Sequence, residues 1–429
     1  MTTYAECLQT MFSLRRFGIK LGLDTIRGML AGLGDPQNAF QSVHVAGTNG
    51  KGSVASTLAS ILQQAGFRVG LYTSPHLVRF NERIRIDGRP VADAEVVAAY
   101  EALRQVHRAA REPTFFEFST AMAMDVFRRH KVDWAVIETG MGGRLDATNV
   151  LNPALSVITN IALEHREYLG HSLAAIAREK AGIIKPCIPV VTGIGQTVAQ
   201  QVAEARAAEL AAPCFRRGRD FRCRRNHDGH FSYYGLDHRW PELRTRLLGE
   251  HQVENAALAL AGVELLMRRG VAIAEKHVRD GLAHTIWPGR LETVSETPHV
   301  ILDGAHNLAA ARNLARYLTR HLADRRILLV AGILDDKPAK GMLAALLPVC
   351  RRAVISAPRI GRAIPAERLA AIARGFMPNV ETAPTVDQAV KKALTSARPE
   401  DTIVVAGSLY VVGEAVETLE ALGIMTPPG

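Results

Sequence analysis

The chain has 429 residues, 48% of them hydrophobic, and a formal net charge of +10. That length exceeds what a single core organises, and the apolar share excludes a disordered or fibrous protein, so two or three globular domains are expected. No apolar run approaches the ~18 residues of a membrane span, and the stretch before Gly22 lacks the charged start and apolar block of a signal peptide. A cytoplasmic protein without a membrane partner is therefore expected. The five cysteines, Cys7, Cys187, Cys214, Cys223 and Cys350, are scattered with no CxxC, which argues against a disulfide framework and a zinc site.

The first two-thirds of the chain alternate apolar strand-like runs with helical periodicity. Strands are expected at Ser42–Val45, Arg68–Tyr72, Trp134–Glu138, Leu155–Thr159 and Ile188–Val191, with helices such as Val54–Ala65, Asp93–Arg108, Ser119–Arg129 and Ser172–Arg178 between or after them. Alternation of this kind implies a parallel sheet covered by helices. From Cys214 to Leu248 short runs such as Phe231–Tyr234 are separated by Asp-Gly and Gly, which reads as a small antiparallel insert. Thr285 to Arg290 brings Pro and Gly together and suits a domain hinge. Beyond it a second series, His299–Leu302, Ile327–Ala331, Ala353–Ser356 and Thr402–Ala406, predicts a separate α/β domain. The expected domains are 1–286 and 291–429.

Within this frame the sharpest local signal is Ala46-Gly47-Thr48-Asn49-Gly50-Lys51-Gly52-Ser53, between a strand and a helix. Glycines there let backbone N–H groups turn toward phosphate oxygens, the helix start adds partial positive charge, and Lys51 adds a full one. Ser74, just past the strand ending at Tyr72, faces the ligand crevice of an open sheet, where its hydroxyl can meet a metal or simply open a Ser-Pro turn. Glu138 ends a strand before the glycine-rich Thr139 to Asp146, a usual place for a Mg²⁺ ligand, against the alternative of a solvated strand-end carboxylate. His165 follows the next strand, and a lone His is more often structural than a ligand. Spacing alone leaves Lys180 open between a catalytic role and an ion pair. Asn255 can read a base edge or sit as a surface amide, and Arg290 can pair with phosphate. Asp303 and His306 lie at the end of the first strand of the second series. The tract Arg216 to Arg225 holds six arginines but no pattern of stacking aromatics, and no nucleic-acid partner is expected.

Together these segments resemble the folylpolyglutamate synthase/dihydrofolate synthase family of Mur-type ATP-dependent amide ligases, over nearly the whole chain. Leu21 to Asp24 with Gly34 to Gln37 resemble its opening, His44 to Ser53 its phosphate loop, and Thr73 to Leu77 with Glu82 to Ile84 its substrate loop. Phe116 to Phe118, Gly142 to Asn149, Glu179 to Ile183, Asp303 to Asn307 and Gly407 to Glu414 complete the match. The resemblance implies an N-terminal P-loop Mur-ligase-like domain with a parallel sheet and a C-terminal Rossmann-like α/β domain. It implies ATP-dependent addition of L-glutamate to 7,8-dihydropteroate and to the γ-carboxylate of folates through an acyl phosphate, by a monomer. Asn49, Gly50, Lys51, Gly52 and Ser53 would hold the phosphates. Ser74 and Glu138 would hold one Mg²⁺, while Glu138, His165 and Lys180, typically carbamylated, would serve a second. Asn255, Arg290, Asp303 and His306 would hold the nucleotide, and Thr114, Phe116, Asp146 and Ala147 would lie near the pterin. The departures are Glu164 where the family often has Asp, Leu308 where it often has Pro, and Asp335-Asp336-Lys337-Pro338 in place of its DKD motif. A tail-extending monofunctional synthase, a cell-wall Mur ligase, and a nucleotide-dependent switch or a nucleic-acid binder exploiting the +10 charge are the competing readings. The phosphate loop begins only 46 residues in, so the UDP-binding domain of a cell-wall ligase is not expected, and a switch would turn ATP over without glutamate.

Overall fold

The computed structural model describes residues 2–14, 18, 20, 22–106, 111–226 and 229–425. Leu21 and the end of the expected helix Asp93–Arg108 lie outside them. The described chain divides into two compact units. The first comprises Met1–His76, Phe80–Arg246 and Gln252–Ile286, and the second Leu77–Arg79, Leu247–His251 and Trp287–Gly429.

The first unit holds β1 (Gln41–Ala46), β2 (Val69–Tyr72), β3 (Ile84–Ile86), β4 (Arg89–Pro90), β5 (Trp134–Glu138), β6 (Leu155–Ile158), β7 (Val190–Thr192) and β8 (Cys214–Arg216) in one eight-stranded sheet, order β4-β3-β2-β5-β1-β6-β7-β8. From β2 to β8 in that order the strands run parallel, and β3 alone is reversed, antiparallel to both β2 and β4. The central strands are buried along almost their whole length. This is what a doubly covered parallel sheet requires of its residues. Val43 and Val45 of β1 face the helices Lys51–Gln64, Glu250–Arg268 and Glu275–His284. The other face is covered by Tyr4–Ser13, Asp24–Gly32, Asp93–Val106 and Phe115–Arg129 at one end, and by Leu173–Ala181 and Thr197–Glu209 at the other.

Two local expectations change. The helix expected from Ser119 begins at Phe115, because Thr114 and Glu117 form a reciprocal capping box. The antiparallel insert is β9 (Arg222–Arg225), β10 (Phe231–Tyr234) and β11 (Arg239–Leu243), but Cys214–Arg216 joins the main sheet parallel to β7 instead. The insert's inner face, Phe231, Tyr233, Trp240 and Leu243, is core. Several of its arginines make ion pairs or aromatic contacts. Arg217 meets Glu254, Arg219 meets Asp220 and Glu204, and Arg222 and Arg239 each stack on Tyr234.

The second unit holds β12 (Glu292–Glu296), β13 (His299–Leu302), β14 (Ile327–Ala331), β15 (Arg352–Ile355), β16 (Val380–Thr382) and β17 (Thr402–Ala406), order β12-β13-β17-β14-β15-β16, parallel except for β12. Helices Leu308–His321, Ala339–Leu346 and Ala366–Arg374 cover one face, and Val386–Ser396 and Leu409–Ala421 the other. The chain therefore leaves β14 and β17 toward opposite faces, a switch point with a crevice at the strand ends. Among the described residues no helix is long and apolar enough to cross a membrane.

Helix Glu275–His284 lies directly on Lys51–Gln64. Ser60 Oγ donates to Gly281 O at 2.8 Å, and a Cβ on Gly281 would sit 2.6 Å from Ile61 Cα. Backbone cannot yield as a side-chain tip can, so Gly281→Ala is expected to destabilise the fold by about 1–3 kcal/mol, read as a lower urea midpoint with unchanged slope.

Candidate active site

The glycine loop leaves β1 at Ala46 and ends where helix Lys51–Gln64 begins. Gly47 (φ 147°) and Gly50 (φ 83°) adopt backbone conformations that side chains rarely take. A Cβ on Gly47 would fall 1.9 Å from Thr159 Oγ1, and one on Gly50 would fall 2.4 Å from Asn255 Oδ1. The glycines thus admit Thr159 and bring the Asn255 carboxamide against the loop. Asn160 pairs with Asn49 as a strand would: its Oδ1 accepts Asn49 N at 2.9 Å and its Nδ2 donates to Asn49 O at 3.0 Å. Thr159 Oγ1 also donates to Asn49 O, and Ala162 N donates to Thr48 Oγ1. Asn49 therefore has its backbone engaged by protein, whereas Lys51, Gly52 and Ser53 form a helix start, whose N–H groups lack intrahelical acceptors. Neither Thr48 nor Asn160 was singled out from the sequence. The only signal was Asn160 at the end of an expected strand.

β2, β5 and β1 are neighbours in parallel register, with Val45 opposite Glu138 and Tyr72 opposite Ile137, so their C-terminal residues emerge at one edge. There Glu138, 4% exposed, accepts Ser74 N at 3.2 Å through Oε2, and its Oε1 lies 3.8 Å from Lys51 Nζ. Lys51 Nζ also donates to Thr48 O at 3.3 Å. A carboxylate with a neighbouring serine is a donor set suited to a hard cation such as Mg²⁺, and Lys51 adds a charge facing the same spot.

Lys180 comes from helix Leu173–Ala181, which places it beneath the same loop. It is 1% exposed, and its Nζ donates to Gly47 O at 2.7 Å and Glu164 Oε1 at 3.0 Å. Burial pulls the ammonium down to about 8 against the attraction of Glu164. Burial pushes the Glu164 carboxyl up, but Lys180, Lys51 and His165 outweigh it and bring it down to about 2. Glu164, the departure noted at this position, thus pairs with the buried Lys180 ammonium. His165 is exposed, in a left-handed conformation (φ 46°), and starts the short helix Arg166–Leu169.

Helix Leu173–Ala181 is also locked to the loop after β5. Arg144 N donates to Glu179 O at 2.7 Å, its guanidinium meets the Glu179 carboxylate, and a Cβ on Gly182 would lie 2.4 Å from Arg144 Cα. Asp146 lies in that loop and caps the 3-10 turn Ala147–Val150: its Oδ1 accepts Thr148 N and Oγ1, and its Oδ2 accepts Met141 N. The Phe116 ring lies over Gly140 of the same loop and 6.0 Å from the Tyr72 ring. Thr114 spends its hydroxyl on Glu117, which Arg111 grips with two hydrogen bonds. Ala147 is buried beside Asp146. The four expected acceptor residues are therefore grouped by helix Phe115–Arg129 and the 140–147 loop.

In the second unit Arg290, Asp303 and His306 also gather. Asp303 accepts Leu291 N at 3.0 Å and Ala305 N at 2.9 Å, and burial raises its carboxyl despite nearby Arg290. His306 Nδ1 donates to Gly304 O at 2.9 Å, and the Arg290 guanidinium lies against Gly304. Leu308 begins the helix capped by Asn307, and Lys337 pairs with Asp336 at 2.9 Å.

Among the described residues, the one group of three His, Cys, Asp or Glu ligand atoms within 4.8 Å of one another is Asp237, His238 and Glu264. It is a clamp on a hairpin turn. Buried Glu264 accepts Tyr233 Oη, the backbone N–H groups of Leu236, Asp237 and His238, and the His238 ring, which occupies its lone pairs.

Residues 45–263 match the Mur ligase middle domain and residues 289–409 the Mur ligase glutamate ligase domain. The chain is 37% identical to the dihydrofolate synthase/folylpolyglutamate synthase of Bacillus subtilis, covering 98% of this chain and 100% of that protein. Its structure resembles that of E. coli FolC in complex with DHPP and ADP, with a TM-score of 0.91, 33% identity and coverage of 99% and 100%. The Mycobacterium tuberculosis folylpolyglutamate synthase complexed with ADP gives a TM-score of 0.89 at 35% identity, over 99% of each chain.

Lys180→Met removes the counter-charge from a buried carboxylate and is expected to destabilise the protein by about 3 kcal/mol. Adding Glu164→Gln should restore more than half of the loss in thermal melts. Equal melting of wild type and Lys180→Met would show that the pair contributes nothing.

Proposed function

We propose, because the chain belongs to the dihydrofolate synthase/folylpolyglutamate synthase family of Mur-type ligases, that it uses ATP to join L-glutamate to 7,8-dihydropteroate and to the γ-carboxylate of folates. The observation that carries this reading is the meeting of Glu138, Lys51 and Ser74 at the mouth of the glycine loop, one strand-edge from the loop that bears Asp146.

The difficulty of the reaction is electrostatic. A carboxylate must approach a triphosphate, and both are anions. Gly50, Lys51, Gly52 and Ser53 hold the phosphates through helix-start N–H groups and the Lys51 ammonium. An acceptor carboxylate oxygen bonds to the γ-phosphorus as the bond to ADP breaks, giving an acyl phosphate. The glutamate amine then attacks the carbonyl carbon, phosphate leaves, and the amine proton is lost. Glu138 and Ser74 would hold a Mg²⁺ ion, which supplies charge neutralisation at the transferring phosphate. Glu138, His165 and Lys180 suit a second ion only with Lys180 as a carbamate, since an ammonium has no lone pair to offer. That modification joins the amine to CO₂ with loss of one proton, and it would replace the unmodified ammonium's ion pair with Glu164. Asn255, Arg290, Asp303 and His306 serve the nucleotide, and Thr114, Phe116, Asp146 and Ala147 the pterin-bearing acceptor. The working form on this reading is a cytoplasmic monomer acting on small molecules, with domains 1–286 and 291–429.

The test is ADP formation by purified protein with ATP, Mg²⁺ and L-glutamate, comparing dihydropteroate with tetrahydrofolate and identifying products by mass. Glutamate-dependent turnover with both is expected, and turnover with tetrahydrofolate alone would leave a tail-extending enzyme. Glu138→Gln should lower kcat at least about a hundredfold. ADP formation that ignores glutamate would overturn the reading. Labelled bicarbonate should enter wild-type protein and not Lys180→Met if Lys180 carries the carbamate.

A further inference from the structure

His44 is a polar residue in the wrong kind of place. It lies mid-strand in β1, on the face opposite Val43 and Val45, with no exposed surface. Its Nε2 lies 2.8 Å from Thr148 Oγ1, and its Nδ1 has no hydrogen-bond partner among the described residues. Burying a ring nitrogen this way opposes folding, and an aliphatic residue would fill a strand core without that penalty. The useful atom is therefore Nε2.

Its neighbours fix what Nε2 does. Thr148 Oγ1 is 2.5 Å from Asp146 Oδ1, and the same carboxylate accepts Thr148 N at 3.0 Å and Met141 N at 2.8 Å. Burial raises the Asp146 carboxyl, but N–H groups of Met141 and Thr148 donate to both of its oxygens and favour the ionised, accepting form, to which the single Thr148 hydroxyl proton then goes. The Thr148 oxygen is then an acceptor toward His44, which makes the ring a neutral Nε2–H donor. Burial, helped by the Lys185 charge, pushes the His44 ring down to about 3, in keeping with that neutral form. The chain of donors runs from the strand that emits the glycine loop, two residues before Ala46, into the carboxylate of the acceptor loop.

We propose that His44 is a positioning residue which, through the Thr148 hydroxyl, holds the Asp146 carboxylate in the orientation that meets the pterin-bearing end of the acceptor. The inference rests on Asp146 serving that acceptor. Losing either link leaves each Asp146 oxygen on a backbone N–H donor and removes only the hydroxyl donor that sets the aim of Oδ1.

Two measurements test it. In kinetics, Thr148→Val and His44→Leu should raise KM for the acceptor about tenfold, with KM for ATP within about twofold of wild type. Thr148→Ser restores the hydroxyl and His44→Gln restores an N–H donor, so both should return acceptor KM to within about threefold of wild type. Equal rises in both KM values, or an unchanged acceptor KM in Thr148→Val, would overturn the positioning role. In histidine-labelled wild-type protein without ligands, the His44 nitrogens, assigned by difference from His44→Gln, should show the Nε2–H tautomer unchanged from about pH 5 to 8. An Nδ1–H tautomer, or titration in that range, would overturn the donor chain even if a variant fails to fold. Wild type inert with every acceptor would instead defeat the parent reading, while the tautomer measurement still decides the chain.

Discussion

A charge cannot be buried alone, and Lys180 is the place where this chain meets that rule most severely. An ammonium taken out of water needs oxygens on hand, and Lys180 finds them in the Gly47 carbonyl and the Glu164 carboxylate. Those oxygens belong to the glycine loop and to the segment after β6, while the nitrogen belongs to helix Leu173–Ala181. Satisfying one charge therefore draws three separate stretches of sequence to a single point.

Close backbone approach does the rest of the assembly. Gly182 allows Arg144 to lie directly on the end of the same helix, and this fixes the loop that carries Asp146. Asn160 binds both backbone groups of Asn49, so the glycine loop is held by an amide acting as one rung of a strand. Each device uses groups that would otherwise be orphaned on burial, so rigidity and hydrogen-bond satisfaction arise together. The helix start at Lys51 is the part of this loop left for a ligand, which is where a polyanion gains most.

Charge elsewhere in the molecule has a quieter role. Around the β9–β11 insert, Arg217 and Arg219 pair with Glu254, Asp220 and Glu204, while Arg222 and Arg239 lie over the Tyr234 ring. The insert packs through Phe231, Tyr233 and Trp240, and Glu264 pins its turn from beneath.

By itself the sequence determined the alternation of strands and helices, the glycine loop with Lys51, and the strand-end positions of Ser74, Glu138, Asp303 and His306. All of these are local: periodicity, glycine spacing and a polar residue at the end of an apolar run are visible within a dozen neighbours. The capping box that starts the Phe115–Arg129 helix at Thr114 was equally local and could have been read from its Thr-x-x-Glu spacing. Only the tertiary structure decided that Cys214–Arg216 joins the main sheet, that Asn160 pairs with Asn49, that Glu164 reaches Lys180, and that His44 meets Thr148. Those pairs are separated by 16 to 111 residues, and strand order, which no periodicity encodes, sets which of them become neighbours. A lone buried His or Lys looks the same in sequence whatever it touches, because its meaning lies in the partner that desolvation obliges it to find.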